Sequence, residues 1–214
     1  MNEDLLEKTL LYIKDRFKND YSGHDYYHSV RVYNLATSIC KEESGNLEIV
    51  QLASLLHDVD DYKLFGGNVS TYSNAEIFLK KNNISDEKIE LICNIIGSIS
   101  FKGTDSKIPK SLEGKIVQDA DRLDAIGAIG IARTFAYGGS KNRSMHLPNE
   151  KPHDNMNFEE YSTLNGTTIN HFYEKLLKLK DLINTDTAKK IAESRHKYME
   201  TFLSEFFDEW DGLI

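Results

Sequence analysis

The sequence predicts an all-α protein, built as a single helical bundle. Apolar residues recur at three- and four-residue spacing through most of the 214 residues instead of alternating with polar ones as in strands. Only three prolines, Pro109, Pro148 and Pro152, punctuate this pattern. The hydrophobic content of 40% is ordinary for a globular chain, and the length suits one core. We therefore expect one domain over residues 1–214.

Eight helices follow from this spacing. The third is defined by the continuous apolar run of residues 49–56, and the fifth and sixth begin at the N-cap residues Ser85 and Ser111. The last carries an apolar stripe that runs from Ala188 to Phe206. The predicted helices span residues 3–19, 25–43, 46–57, 71–82, 85–99, 111–137, 157–183 and 186–209.

Two segments lack helical periodicity. The first, Asp60 to Ser70, contains Gly66-Gly67 and directly follows the third helix, so we expect it to border any site formed there. The second, Gly138 to Asn157, is longer than most connections in compact domains. Either a mobile lid or a disordered loop would account for its length.

The net charge of −8 argues against binding to nucleic-acid polymers or anionic membranes, because the long-range field would repel both. A small anion remains compatible where a few basic side chains dominate the local field. We find neither a membrane-length apolar run nor a basic signal-peptide start, so we expect a soluble, cytoplasmic protein. Cys40 and Cys93 lie within apolar helical patterns and predict buried thiols instead of a disulfide.

The dipeptide His57-Asp58 is the first candidate for chemistry. It follows the apolar third helix, which would hold both side chains rigidly at the mouth of the next loop. Alone, such a pair is weak evidence, since most short motifs are ordinary polar residues. Its value depends on partners elsewhere in the chain.

Two partners are His28 and Asp121. His28 shares an inward face of the second helix with Val32 and Leu35, although a lone buried histidine often only fills a hydrogen bond. Asp121 flanks the apolar stripe of the sixth helix, where a buried carboxylate needs a cation. That cation is either a metal ion or one of Arg122, Arg133 and Lys115.

Together these residues offer two imidazole nitrogens and two carboxylate oxygens from three helices. Such mixed ligation suits Mn²⁺, Fe²⁺, Co²⁺ or Zn²⁺ and leaves positions for water and substrate. Magnesium fits two histidines less well. The four residues are His28, His57, Asp58 and Asp121.

This ordered set resembles that of the HD-domain metal-dependent phosphohydrolases. Longer stretches are similar to those of a compact, stand-alone bacterial subgroup that includes nucleoside triphosphate pyrophosphohydrolases. The matching stretches are residues 27–32, 55–63, 117–127 and 129–135, with the tail segments 171–175 and 192–195. The resemblance covers most of the chain and implies an all-α HD fold that hydrolyses a phosphoester or phosphoanhydride.

The resemblance also implies roles for individual residues. It makes the four residues above the metal ligands, with Asp121 preferred to Asp119 or Asp124 because it stands in the triplet Ala-Asp-Arg. Asp124 would orient a ligand or water from one turn further on. Asp61 is the candidate for positioning or deprotonating the attacking water, with a turn-capping acid as the alternative.

Six basic residues are candidates for binding the substrate. Arg195 is the most informative, since it lies on the core-facing stripe of the last helix, where it must meet phosphate or one of the site's own aspartates. Lys63 follows Asp61 closely, but an exposed lysine explains it equally well. The full set is His24, Arg31, Lys63, Arg133, Lys175 and Arg195.

We therefore expect hydrolysis of a (deoxy)nucleoside triphosphate to monophosphate and pyrophosphate, with one divalent ion. Manganese is preferred, and iron, cobalt, nickel or zinc would also serve. The alternatives are a nucleoside monophosphate phosphatase, a non-catalytic nucleotide-binding HD module and a helical scaffold with a structural zinc. The sequence leaves the base preference open, and a homodimer is compatible with it.

Overall fold

The computed structural model describes residues 1–18, 25–60, 73–164 and 166–214. Over these ranges the chain is predominantly helical, which confirms the predicted all-α class. The α-helices are α1 (Glu3–Arg16), α2 (Tyr26–Glu43), α3 (Leu47–Leu56), α4 (Ser73–Lys81), α5 (Asp86–Ile99), α6 (Leu112–Asp124), α7 (Gly127–Ser140), α8 (Phe158–Thr163), α9 (Thr168–Glu174) and α10 (Asp186–Trp210), with a 3-10 helix at Leu176–Leu182. His24, Asp61 and Lys63 lie outside the described residues.

The predicted helix 111–137 is wrong in one respect, because the structure divides it into α6 and α7. Ile126 has extended backbone angles, and Gly127 adopts a φ of +76°. A side chain at Gly127 would also meet the stem of Arg195, 3.0 Å from its Cγ. The glycine therefore begins α7 with a backbone angle that side chains disfavour and admits a close contact from the last helix.

The predicted helix 157–183 is also divided. Asn157 opens α8 with a capping box that includes Glu160, and Thr167 caps α9 by accepting from the backbone N–H of Asn170. Leu164 is extended between the two helices. Two independent N-caps within so short a stretch replace one long helix by short pieces.

The segment between α7 and α8 is bound to α9, which contradicts a disordered loop. The backbone N–H groups of Thr168 and Ile169 donate to the carbonyls of Ser144 and Met145, at 3.0 and 2.9 Å. The Asn170 side chain donates to the carbonyl of Glu150 at 3.2 Å. The connection thus satisfies orphan donors at the start of α9.

Helix α3 is the centre of the core. Every residue from Ile49 to Leu56 is buried, and α1, α2, α5 and α6 pack around it. The C-terminal end of this buried helix carries His57 and Asp58, so their backbone position is fixed by packing on all sides. None of the helices in the described ranges combines the length and apolarity that crossing a membrane requires.

Candidate active site

His28 is set at the start of α2 by its own N-cap. The Asp25 carboxylate accepts from the backbone N–H of His28 at 2.8 Å, and the imidazole is fully buried. The Nδ1 atom of His28 lies 2.8 Å from Oδ2 of Asp124. Since an ionised carboxylate only accepts, Nδ1 carries the proton and Nε2 presents a lone pair to the interior.

His57 is oriented in the same way by the end of α3. Its Nδ1 atom lies 2.8 Å from the carbonyl oxygen of Ser54, which again can only accept. The Nε2 atom of His57 therefore also presents a lone pair. Hydrogen bonding from behind fixes the tautomer of both rings, as is usual for histidines that bind metals.

The two lone pairs face each other across a cluster of carboxylates. The Nε2 atoms of His28 and His57 are 3.1 Å apart, and Oδ2 of Asp58 lies 3.4 and 3.3 Å from them. Oδ1 of Asp121 lies 3.4 Å from Nε2 of His28 and 3.8 Å from that of His57. The structure thus brings together all four residues predicted to bind a metal.

This donor set fits a divalent cation. Two nitrogen lone pairs cannot hydrogen-bond to each other, and two carboxylates beside them add negative charge that burial makes unfavourable. Ligand atoms about 2.1 Å from one ion and at right angles lie ~3 Å apart, close to the observed separations. His28, His57 and Asp58 place one donor each within 4.8 Å of the others.

The pKa shifts of the cluster indicate that a positive charge is favoured between its carboxylates. Burial disfavours imidazolium at His28, yet hydrogen bonds to Asp121, Asp124 and Asp58 outweigh it and raise its pKa to about 10. Burial opposes ionisation of Asp121, but the two histidines lower its pKa to about 2. The carboxylates thus favour a positive charge at this point, which a divalent ion would supply in place of a proton.

Asp124 organises the basic residues around His28. It accepts from Nε of Arg31 at 2.7 Å and from Nη2 of Arg31 at 3.0 Å. Nη1 of Arg133 donates to the same carboxylate at 2.7 Å. Burial opposes ionisation of Asp124, but the hydrogen bond from His28 and the contacts with Arg31 and Arg133 lower its pKa, so it stays ionised behind the imidazole. Two predicted substrate residues therefore have a protein partner of their own.

Arg195 also binds the end of α6. Its Nη1 donates to the carbonyl of Leu123 at 2.5 Å, while Arg133 donates to the carbonyl of Asp124 at 3.3 Å. Arginines near a helix C-terminus stabilise its orphan carbonyls and its dipole. The partner that the structure gives Arg195 is thus a backbone carbonyl beside Asp124, and not one of the aspartate side chains.

Lys175 follows α9 and is half-buried. Its Nζ lies 5.0 Å from the ring centroid of Phe101. Desolvation lowers its pKa to about 8, while Asp121 acts in the opposite direction. The Lys175 side chain is therefore strongly desolvated although part of it remains exposed.

Asp119 has a different role. Its carboxylate is fully buried and accepts four hydrogen bonds from Asn184 and Thr185, at the start of α10. This geometry explains why it is not part of the metal cluster.

Comparison with known proteins agrees with this site. Residues 25–126 match the family model of the HD domain. YpgQ of Bacillus subtilis is 36% identical over 211 residues, which cover 97% of this chain and 94% of YpgQ. A crystal structure of YpgQ in complex with ADP has a TM-score of 0.76 at 33% identity and covers 95% of this chain and 97% of that chain.

Two further crystal structures are similar over almost their full length. A protein from Lactobacillus plantarum has a TM-score of 0.88 at 39% identity, covering 99% of both chains. An HD-superfamily hydrolase from Bacillus thuringiensis has a TM-score of 0.77 at 43% identity, covering 98% of both. The fold and the histidine–aspartate cluster define the class as metal-dependent phosphohydrolase. The chain belongs to the HD domain family.

Proposed function

We propose that the protein hydrolyses nucleoside triphosphates, with ribose or deoxyribose, to the monophosphate and pyrophosphate. The observation that carries this proposal is the convergence of two Nε2 lone pairs and two carboxylates on one point. The complex of YpgQ with ADP supports a nucleotide ligand. Four residues would hold one divalent ion, with Mn²⁺ preferred: His28, His57, Asp58 and Asp121.

A bound divalent ion supplies activation of water and stabilisation of charge on phosphate oxygens. In the proposed reaction, the water oxygen bonds to the α-phosphorus, the bond to the bridging oxygen breaks, and pyrophosphate leaves with that oxygen. Asp61 is proposed to take the proton of the water, because it stands three residues after the proposed ligand Asp58 in the sequence.

The charges around the cluster support a substrate with several phosphates. With a divalent ion bound, the positive charges of the ion and of the basic side chains near Asp121 and Asp124 would exceed the negative charges of the carboxylates there. A polyphosphate supplies the balancing negative charge better than a monophosphate does. The basic residues proposed to hold it are His24, Arg31, Lys63, Arg133, Lys175 and Arg195.

The products of one triphosphate test this proposal. With Mn²⁺ and dATP, we expect equimolar dAMP and pyrophosphate by phosphorus NMR. In water enriched in ¹⁸O, the heavy oxygen should appear in dAMP and not in pyrophosphate, because attack is on the α-phosphorus. Stepwise release of orthophosphate would contradict the proposal and favour a phosphatase. Parallel assays with Fe²⁺, Co²⁺, Ni²⁺ and Zn²⁺ rank the metals.

The pH dependence of substrate affinity is expected to report on Lys175. Its pKa of about 8 means that the ammonium loses its charge as the pH rises through that value. Because phosphate binds the charged form, the contribution of Lys175 to affinity should fall about tenfold per pH unit above pH 8. The measurement is KM for dATP at pH 7 to 9.5, compared between wild type and variants.

Lys175→Arg is the matched control, since arginine keeps its charge throughout this range. Lys175→Met retains the stem and should show a raised KM at pH 7 that no longer depends on this titration. A wild-type rise in KM that persists unchanged in both variants would assign the pH dependence to another group.

A further inference from the structure

The chain makes one further turn after α3, and this turn carries the proposed metal ligand Asp58. The backbone N–H of Val59 donates to the carbonyl of Leu56 at 3.3 Å, which is the spacing of a 3-10 turn and not of an α-helix. Val59 is fully buried, and its carbonyl accepts from Nε of Arg16 on α1 at 3.4 Å. The turn is therefore held in part by a contact from another helix.

Asp60 joins the same turn to α4. Its Oδ1 accepts from the backbone N–H of Asn74 at 3.0 Å and from the Asn74 side chain at 2.6 Å, and its Oδ2 accepts from the backbone N–H of Ala75 at 3.0 Å. The two backbone donors lie in the first turn of α4, where N–H groups have no acceptor within the helix and a negative charge is favoured. Both carboxylate oxygens thus connect the turn to α4.

Helix α1 contacts both of these elements. The hydroxyl of Tyr12 donates to the carbonyl of Asn74 at 3.4 Å, and its ring stacks on that of Phe78, with centroids 4.5 Å apart. Tyr12 and Arg16 are four residues apart on α1, so one face of this helix reaches α4 and the carbonyl of Val59. The turn after α3, α4 and α1 therefore fix one another at a single junction.

We infer that Asp60 is a positioning residue of the metal centre, which acts on the ligand Asp58 through the backbone of their shared turn. Oδ2 of Asp58 lies 3.4 and 3.3 Å from the Nε2 atoms of His28 and His57, and ligands must be held to within about 0.5 Å for a metal site to keep its affinity. This inference rests on the proposed function, because it concerns a ligand of the same ion.

Binding of Mn²⁺ tests this role without nucleotide turnover. We expect Asp60→Ala to raise the Kd for Mn²⁺ about tenfold, as is typical when a group that supports a metal ligand is lost, and to change the EPR spectrum of the bound ion. Asp60→Asn removes the charge but keeps an acceptor for Asn74, and should bind Mn²⁺ more tightly than Asp60→Ala. Equal Kd values in the two variants would assign the effect to charge and overturn the positioning role.

Asn2→Ala is the matched control for the loss of a helix cap. The Asn2 side chain accepts from the backbone N–H of Leu5 at 2.8 Å, so its removal destabilises the start of α1 but should leave the Kd for Mn²⁺ unchanged. All variants are titrated below the unfolding transition that circular dichroism gives. Asn74→Ala removes only the side-chain donor to Asp60 and should raise Kd less, which keeps the test decisive if Asp60→Ala does not fold.

Two results would contradict the inference. One is a wild-type Kd and EPR spectrum in Asp60→Ala, and the other is an equal rise of Kd in Asn2→Ala. Assays of dATP hydrolysis separate this inference from the proposed function. If the wild type does not hydrolyse dATP while its Kd for Mn²⁺ depends on Asp60, the proposed function fails and the positioning role stands. Hydrolysis of dATP by the wild type, with Mn²⁺ binding unaltered in Asp60→Ala, gives the reverse.

Discussion

Asp58→Ala is expected to remove the bound divalent ion and to lower kcat on the order of 10³-fold or more. The carboxylate lies within 3.4 Å of both Nε2 atoms and is almost fully buried. Its loss removes a negatively charged ligand. The two imidazoles and Asp121 that remain should bind a cation with lower affinity. Metal content after dialysis and the rate of dATP hydrolysis are the two measurements.

Asp86→Ala is the matched control, because it removes the same charge from the exposed first turn of α5. We expect it to retain both metal and activity. If Asp58→Ala instead bound as much Mn²⁺ as the wild type and turned over normally, the metal centre would have to lie elsewhere. A variant without metal that stays folded would separate loss of the ion from loss of the fold.

Asp119→Ala is expected to lower the free energy of unfolding by about 3–5 kcal/mol. The carboxylate accepts from the backbone N–H groups of Asn184 and Thr185 at 2.8 Å each, and from both of their side chains. These donors stand at the start of α10 and are held by a charge from α6. Removing the acceptor leaves buried donors unsatisfied, which is more destabilising than the loss of an exposed contact.

Urea unfolding followed by circular dichroism measures this effect. Asp186→Ala, in the exposed first turn of the same helix, should change stability by less than about 0.5 kcal/mol. Asp119→Asn keeps one acceptor and should fall between the two. A change below 1 kcal/mol in Asp119→Ala would mean that water or other acceptors replace the carboxylate.

The sequence was sufficient for most helices because each buries an apolar stripe of period 3.6 against α3 or its neighbours. The convergence of His28, His57, Asp58 and Asp121 was also predictable from their resemblance to a known pattern. The break between α6 and α7 was not, since the apolar stripe continues through Ile126. The break coincides with the positive φ of Gly127 and with its contact to Arg195, which is far away in sequence, and periodicity contains no information about such contacts.

The basic residues illustrate a second limit. Sequence position indicates that Arg31 and Arg195 face inward and leaves the orientation of Arg133 open, but inward cations meet carboxylates, carbonyls and phosphates alike. In the structure, two of them bind Asp124 and the third binds the carbonyl of Leu123. The acceptor that each guanidinium contacts depends on how the helices pack against one another, and a local sequence pattern contains no information about that packing.

The contacts at the end of α6 show whether the histidine–aspartate motif could keep its geometry in another protein. The stretch that matches the family model ends at residue 126, before both of the helices that carry Arg133 and Arg195. Those two side chains fix the turn that holds Asp124, and through it the imidazole of His28. The histidine–aspartate motif is therefore not a self-contained module that could be transplanted with its own residues alone. Its geometry belongs to the whole chain, and grafting it onto another scaffold would require the arginines from the later helices as well.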